Sequence, residues 1–133
     1  MKRVAIVLFT AISAVSTSGC ILAAAGAGAG SGVYLTSRGV QSVVPSSIDL
    51  VASATERAFT GLGIDRTGLE VDDEKGRRIY RGNGAGGDTD VVVTLAVEKS
   101  GSTKVEVTAR KNAVKWDKDY ASTIIERIAE EAA

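Results

Sequence analysis

This chain predicts a two-layer α+β sandwich over residues 33 to 133, an antiparallel sheet of about four or five strands with two helices on one face. Three observations carry that expectation. Ile48 to Leu62, and the segment around Ile124-Ile125, repeat apolar residues with a helical period. Asp90 to Glu98 and Thr103 to Lys111 alternate apolar and polar residues on either side of a short turn, the pattern of a half-buried hairpin. The elements run strand, helix, four strands, helix. Every apolar stripe is satisfied if both helices lie on the apolar face of one sheet.

Residues 1 to 19 read as a targeting segment. Lys2 and Arg3 supply a positive start, Val4 to Val15 is apolar, and Ser16 to Gly19 are small. The apolar run is shorter than the roughly 20 residues that a bilayer-spanning helix needs. Ser18-Gly19-Cys20 then resembles the bacterial lipobox, with Thr17 standing where that pattern has Leu. The resemblance implies cleavage between Gly19 and Cys20, and acylation of the Cys20 thiol and of its new amine. Several chains anchor stably where one does not, at about 0.8 kcal/mol per buried CH2. Two other outcomes stay open. Cleavage near Ala23 and Ala25 would release a secreted protein. Retention of the whole uncharged stretch from Val4 to Ser37 would leave a membrane helix, with Gly26 and Gly30 spaced as in helix-packing pairs.

Ile21 to Gly32 is expected to be a flexible tether of Gly and Ala. Alternating glycines weaken a helix by roughly 1 kcal/mol each. Val33 to Val44 reads as one strand interrupted by Gly39 and closed by Pro45. Ser46 or Ser47 caps the first helix, and Gly61 and Gly63 stop it. On that helix Ile48, Val51, Ala54, Thr55, Ala58, Phe59 and Leu62 share a face. Ile64 to Val71 is the second strand, Asp72 to Gly76 a turn and Arg77 to Arg81 the third strand. The acidic turn lacks the ordered oxygen spacing of a calcium loop.

Gly82-Asn83-Gly84-Ala85-Gly86-Gly87 spells G-x-G-x-x-G. A dinucleotide site needs a helix directly after the glycines, with its N-terminus facing the pyrophosphate. Here Asp88 and Thr89 lead into Val91-Val92-Val93, so a hairpin loop is expected and no cofactor. In the hairpin that follows, Val91, Val93, Leu95 and Val97 face inward on one strand, and Val105, Val107 and Ala109 on the other. Lys99 to Ser102 form the turn. Trp116, the only tryptophan, sits in a connector and serves either packing or recognition. Asp117 or Asp119 caps the last helix, whose stripe is Ala121, Ile124, Ile125, Ile128 and Ala132.

Composition narrows function. The chain has 16 basic and 16 acidic side chains. Loss of Lys2 and Arg3 with the targeting segment leaves a slight acidic excess, which argues against a nucleic-acid or anionic-lipid binder. With no histidine the chain lacks the commonest general base and the commonest metal ligand. Cys20 is its single cysteine, so no disulfide forms within the chain.

Taken with the Gly/Ala run to Gly32, the Leu62-Gly63-Ile64 helix-to-strand step, the Gly101 hairpin and the helix around Ile124-Ile125-Glu126-Arg127-Ile128, the lipobox gives the whole chain a further likeness. It resembles an uncharacterised family of small bacterial lipoproteins, known only as a domain of unknown function. The resemblance implies an envelope lipoprotein and imports no activity. Ile21 after the acylated cysteine points, by the sorting rule of enteric bacteria, to the outer membrane facing the periplasm. Three function classes follow in order: a structural or protein-interaction module docking an envelope partner on a sheet edge or exposed sheet face, a small-molecule or lipid carrier, and an enzyme. No catalytic or metal-ligating set stands out, so no enzyme is expected.

Overall fold

A computed structural model describes residues 33–112 and 115–133. Within them the chain forms β1 (Tyr34–Leu35), β2 (Gly39–Val44), α1 (Ile48–Leu62), β3 (Asp65–Asp72), β4 (Arg77–Gly84), a 3-10 turn (Ala85–Gly87), β5 (Thr89–Val97), β6 (Thr103–Arg110) and α2 (Lys118–Ala132). The sheet has six antiparallel strands in the order β1-β2-β6-β5-β4-β3.

The α+β class and the two helices are as expected; the strand count of four or five is corrected to six. The stretch read as one strand, Val33 to Val44, is two. The chain turns at Thr36–Arg38, where the Thr36 hydroxyl accepts from the Gly39 amide at 2.9 Å. Tyr34 then pairs with Gln41, and Leu35 with Val40. Gly39 is therefore the first residue of β2 rather than a bulge. A Cβ there would collide with the Val107 carbonyl, so the two backbones approach more closely than any side chain permits.

Helix α1 has the predicted bounds. Ser47 caps it by accepting from Leu50 N, and Gly63 ends it in the left-handed region at φ 68°. Asp117 caps α2 through Tyr120 N at 3.0 Å. The buried side of α1 is Val51, Ala52, Ala54, Thr55, Ala58 and Phe59, and that of α2 is Ala121, Ile124, Ile125, Ile128 and Ala129. The helices pack on each other, with α2 over β2 and β6 and α1 toward β5. Arg57 ties them at the surface, reaching the Glu131 carboxylate at 3.1 Å and the Glu131 carbonyl at 2.7 Å.

Period-two alternation places the core on one side of the sheet. In register across four strands lie Val40, Val107, Val93 and Tyr80. The next row holds Ser42, Val105, Leu95 and Arg78. Apart from Arg78, every one of these is buried beneath the helices. Phe59 of α1 meets Tyr80 edge to face at 6.2 Å between ring centroids. The opposite face carries no layer among the described residues. There Val43, Ile79, Val92, Thr94, Ala96 and Thr108 are half-buried, among Arg77, Arg81, Lys104 and Glu106.

Candidate interaction surfaces

The two residues expected to carry the lipid and the cleavage, Cys20 and Gly19, lie outside the described residues, as do the Gly/Ala run and both rival readings of it. No helix among the described residues is long and apolar enough to cross a membrane. What the domain presents is a set of surfaces.

The glycine-rich segment is a strand, a turn and a strand. Gly82 and Gly84 belong to β4, so that strand runs further than the expected Arg81. Only Ala85–Gly87 turn, with Gly86 at φ 78° and Gly87 at φ 94°. Gly82 and Gly84 are glycines for lack of room: a Cβ at Gly84 would strike the Tyr120 hydroxyl, and one at Gly82 would sit 2.7 Å from Ile64. Because β5 follows directly, no row of helix N–H groups converges on the loop.

The acidic turn after β3 closes on itself, through the Asp72 carboxylate and through the Asp73 carbonyl, which accepts from Gly76 N at 3.3 Å. Asp72 accepts from Lys75 N at 3.1 Å, and Gly76 takes φ 60°. Among the described residues no group of three His, Cys, Asp or Glu side chains is arranged to hold a metal ion.

Two surfaces remain. The first is the β3 edge. Seven of the eight residues of β3 are in register with β4, Thr67 being passed over at a bulge between Arg66 and Gly68, and the other side of the strand is an edge. Leu69 and Val71 stand on the helix side of the sheet but beyond the reach of α1, and are 40% and 51% exposed. Leu50 at the start of α1 is exposed nearby in sequence register with the Asp49–Arg78 ion pair of 2.6 Å. A hollow that reaches core residues lies between α1 and β3, about 270 Å³, lined by Glu56, Phe59, Thr60, Ile64, Asp65 and Arg66. It is spanned by the Arg66–Glu56 pair at 3.0 Å. Burial, reinforced by Glu56, pushes the Tyr80 hydroxyl above its ordinary range, with Arg78 and Arg66 opposing.

The second surface is the corner around Trp116. Trp116 bridges to Arg110, continuing the sheet past the end of β6, and Asp117 N donates to the Ala109 carbonyl at 2.7 Å. The guanidinium carbons of Arg38 and Arg110 lie 5.8 Å and 5.4 Å from the indole centroid. Trp116 is thus half-buried and held by cations, and neither a core anchor nor a free ring. Sequence reasoning offered both roles but missed the arginines, because the bridge that assembles them joins residues of separate elements. Asp117 is held below the ordinary carboxylate range by the Tyr120 amide, and also by Lys111, whose Nζ lies 3.4 Å away.

The chain belongs to the family described as a protein of unknown function (DUF3568), whose model matches residues 3–131. The match covers nearly the whole chain as one unit. No curated protein matches the chain.

Proposed function

We propose, from the N-terminal sequence pattern and the two surfaces, that the protein is a lipoprotein of the bacterial cell envelope whose domain is a protein-interaction module rather than a catalyst. Its signal peptide is cut at Gly19, Cys20 carries the lipid, and residues 21 to 32 tether the domain to the membrane, facing the periplasm from the outer membrane. The apolar run ending in Ser18-Gly19-Cys20 supports the anchor.

The observation that carries the interaction role is the unpaired edge of β3, with Leu69 and Val71 exposed along it. Its partner is an extended segment of an envelope protein, added as a further strand. Main-chain hydrogen bonds supply the affinity and the two apolar side chains select alternate residues of the incoming strand. The alternative, a carrier of small molecules or lipids, needs an internal cavity. The space between helices and sheet is instead filled by side chains such as Val93, Val107 and Ile124, each with no exposed surface. The hollow beside Phe59 is about 270 Å³, and larger ones, about 450 Å³ at the β3–β4 turn and about 610 Å³ along α1, are surface hollows lined mainly by charged and polar side chains, unlike the mostly apolar pockets that bury ligands.

Two measurements test this. Intact mass of protein extracted from membranes should show an N-terminal peptide beginning at Cys20 with added acyl mass. Cys20→Ser should accumulate the uncleaved precursor. A wild-type peptide that begins near Gly26, or that keeps Lys2-Arg3, would refute the lipid anchor. Native pull-down should recover a defined envelope protein with wild type and lose it with Leu69→Lys. Equal recovery by both would refute the β3 edge.

A further inference from the structure

The averaged charge of the chain hides a strong segregation. One corner of the sheet gathers Arg38, Arg110, Lys115 and Lys118 around Trp116. Among the described residues no carboxylate lies within ion-pair distance of any of those four cations. Asp117 is nearby but is engaged by Lys111. Asp119, the second residue of α2, and Asp90, in register with Arg110 across the strands, also stand at this end of the sheet, as does Asp88 just before β5.

A run of carboxylates flanks the opposite corner, with Lys75 and Arg77 among them and Glu70 paired to Arg81 at 3.2 Å. Glu70, Asp72, Asp73 and Glu74 surround the β3–β4 turn. Along the strands, the row through Asp72, Arg77, Ala96 and Lys104 lies at that end, and the row through Asp90 and Arg110 at the other. Across the strands, β1 and β3 are the two edges of the sheet, separated by roughly 24 Å at about 4.8 Å per strand. The domain is therefore polarised along a diagonal of its sheet, cationic where β1 turns into β2 and acidic where β3 turns into β4.

The cationic corner is also where the chain arrives from its N-terminus. Tyr34 and Leu35 of β1 are 58% and 71% exposed, and Arg38 stands three residues after Leu35 in the turn to β2. From Cys20 to Val33 the extended chain reaches at most roughly 45 Å. An exposed Tyr and Leu on the strand that leads to Arg38, and a half-buried Trp between Arg38 and Arg110, are the side-chain chemistry of a membrane interface. The rings sit at headgroup level and the cations meet anionic phosphates.

We propose that the corner formed by Arg38, Arg110, Lys115, Lys118 and Trp116 is a second membrane contact, docking the domain on the anionic headgroups of the bilayer that holds its N-terminus. It rests on the anchored reading of residues 1 to 32. The tether keeps the corner at high effective concentration near the bilayer, so weak individual contacts suffice. Docking also sets orientation. With the cationic corner down, the acidic turn and the Leu69–Val71 edge point away from the lipid, open to a partner. Net charge is a mean over the surface and says nothing about a diagonal separation of the charges, so the slight acidic excess does not argue against this contact.

Because Trp116 is the only tryptophan, its emission reports this corner alone. The full chain is incorporated into phosphatidylcholine vesicles with or without phosphatidylglycerol, each carrying brominated lipid as a short-range quencher. In anionic vesicles Trp116 emission should shift to the blue and be quenched. Both effects should vanish at roughly 1 M salt, where the screening length falls to about 3 Å, while the protein stays on the vesicles. Lys115→Glu with Lys118→Glu should abolish the quenching without changing the circular dichroism. Arg38→Gln, a milder change, should weaken it. Emission that is the same in neutral and anionic vesicles, or quenching untouched by these variants, would overturn the docking. Failure of the wild type to float with neutral vesicles would instead overturn the anchor, and charge-dependent quenching would still report on the corner.

Discussion

Replacing Gly82 by Ala measures how closely α1 and the start of β3 press on the sheet. Gly82 lies on the inner face of β4, paired with Arg66 on one side and Val91 on the other. A Cβ there would sit 2.7 Å from Ile64 Cγ2, 2.8 Å from the Asp65 carbonyl oxygen and 3.1 Å from Phe59 Cε2. The Ile64 methyl can rotate away at some cost, but the carbonyl belongs to the β3–β4 ladder. Phe59 is fixed by its edge-on contact with Tyr80. Overpacking of this kind costs about 1–3 kcal/mol. Replacing a strand glycine offsets about 0.4–1 kcal/mol of that by restricting the unfolded chain. The net loss is about 1–2 kcal/mol, a fall in Tm of roughly 5–15 °C for a domain near 100 residues. Gly68 is the control. Its added Cβ would meet only the Arg81 side chain, at 3.8 Å and 3.9 Å, which is ordinary contact. Gly68→Ala should therefore raise Tm by a few degrees. Thermal unfolding followed by circular dichroism separates the two. Equal losses would mean that the cost belongs to strand glycines in general. No loss at Gly82 would mean that the close approach of Ile64 and Asp65 is not maintained in solution.

Ile124→Ala, at a side chain with no exposed surface, should cost about 2–5 kcal/mol by opening a cavity between α2 and the sheet, read from the denaturant midpoint at constant m-value. Asp117→Ala should cost about 1 kcal/mol by uncapping α2. Because the folded Asp117 carboxyl lies below its ordinary value, its contribution is whole above the unfolded carboxylate range and is lost as pH falls through the folded value. The variant's deficit relative to wild type should therefore shrink in acid. Tyr80 behaves in the opposite sense. Its folded value is raised, so its contribution is whole below about pH 10 and lost as pH rises through the folded value, and Tyr80→Phe should flatten the alkaline limb of a stability profile. Residues 33–133, made alone, should melt cooperatively without detergent, since both helices and the sheet bury their apolar faces on one another; folding only in detergent would refute that independence.

The helices and the β5–β6 hairpin were legible because local pattern and tertiary need coincide there. Ile48 to Leu62 carries its caps, Ser47 and Gly63, within one residue of its ends. Val91, Val93, Leu95, Val105, Val107 and Ala109 alternate without a break and are all buried. The miscounted strand has a definite cause. Val33 to Val44 has strand composition throughout, and the turn in its middle uses Thr36, Ser37 and Arg38, with no Asn-Gly or Pro signal. The Thr36 hydroxyl closes that turn on Gly39, a side-chain-to-backbone bond that hydrophobic periodicity does not register. The extended reach of β4 was hidden in the same way. Gly82 and Gly84 resemble loop residues, whereas each is a strand residue facing a side chain that leaves no space for a Cβ.

The surfaces were the least legible part, because each is assembled by register rather than by spacing. Leu69 and Val71 alternate as core residues do, and nothing local distinguishes them from Val91 and Val93. What differs is place in the sheet: β5 lies under the helices, and β3 is the edge. An apolar pair at that position costs the monomer little, because the residues beneath the helices already complete the core. Its exposure is therefore available for a partner strand, as the acidic turn beside it is for steering that partner. The Trp116 corner follows the same logic. Arg38 and Arg110 are far apart in sequence and reach the same indole because β2 begins beside the end of β6 and the connector folds back to bridge Arg110. Topology thus converts a chain of balanced charge into a domain with two unlike ends, and the edge proposed to dock a partner and the corner proposed to meet the lipid can be mutated independently.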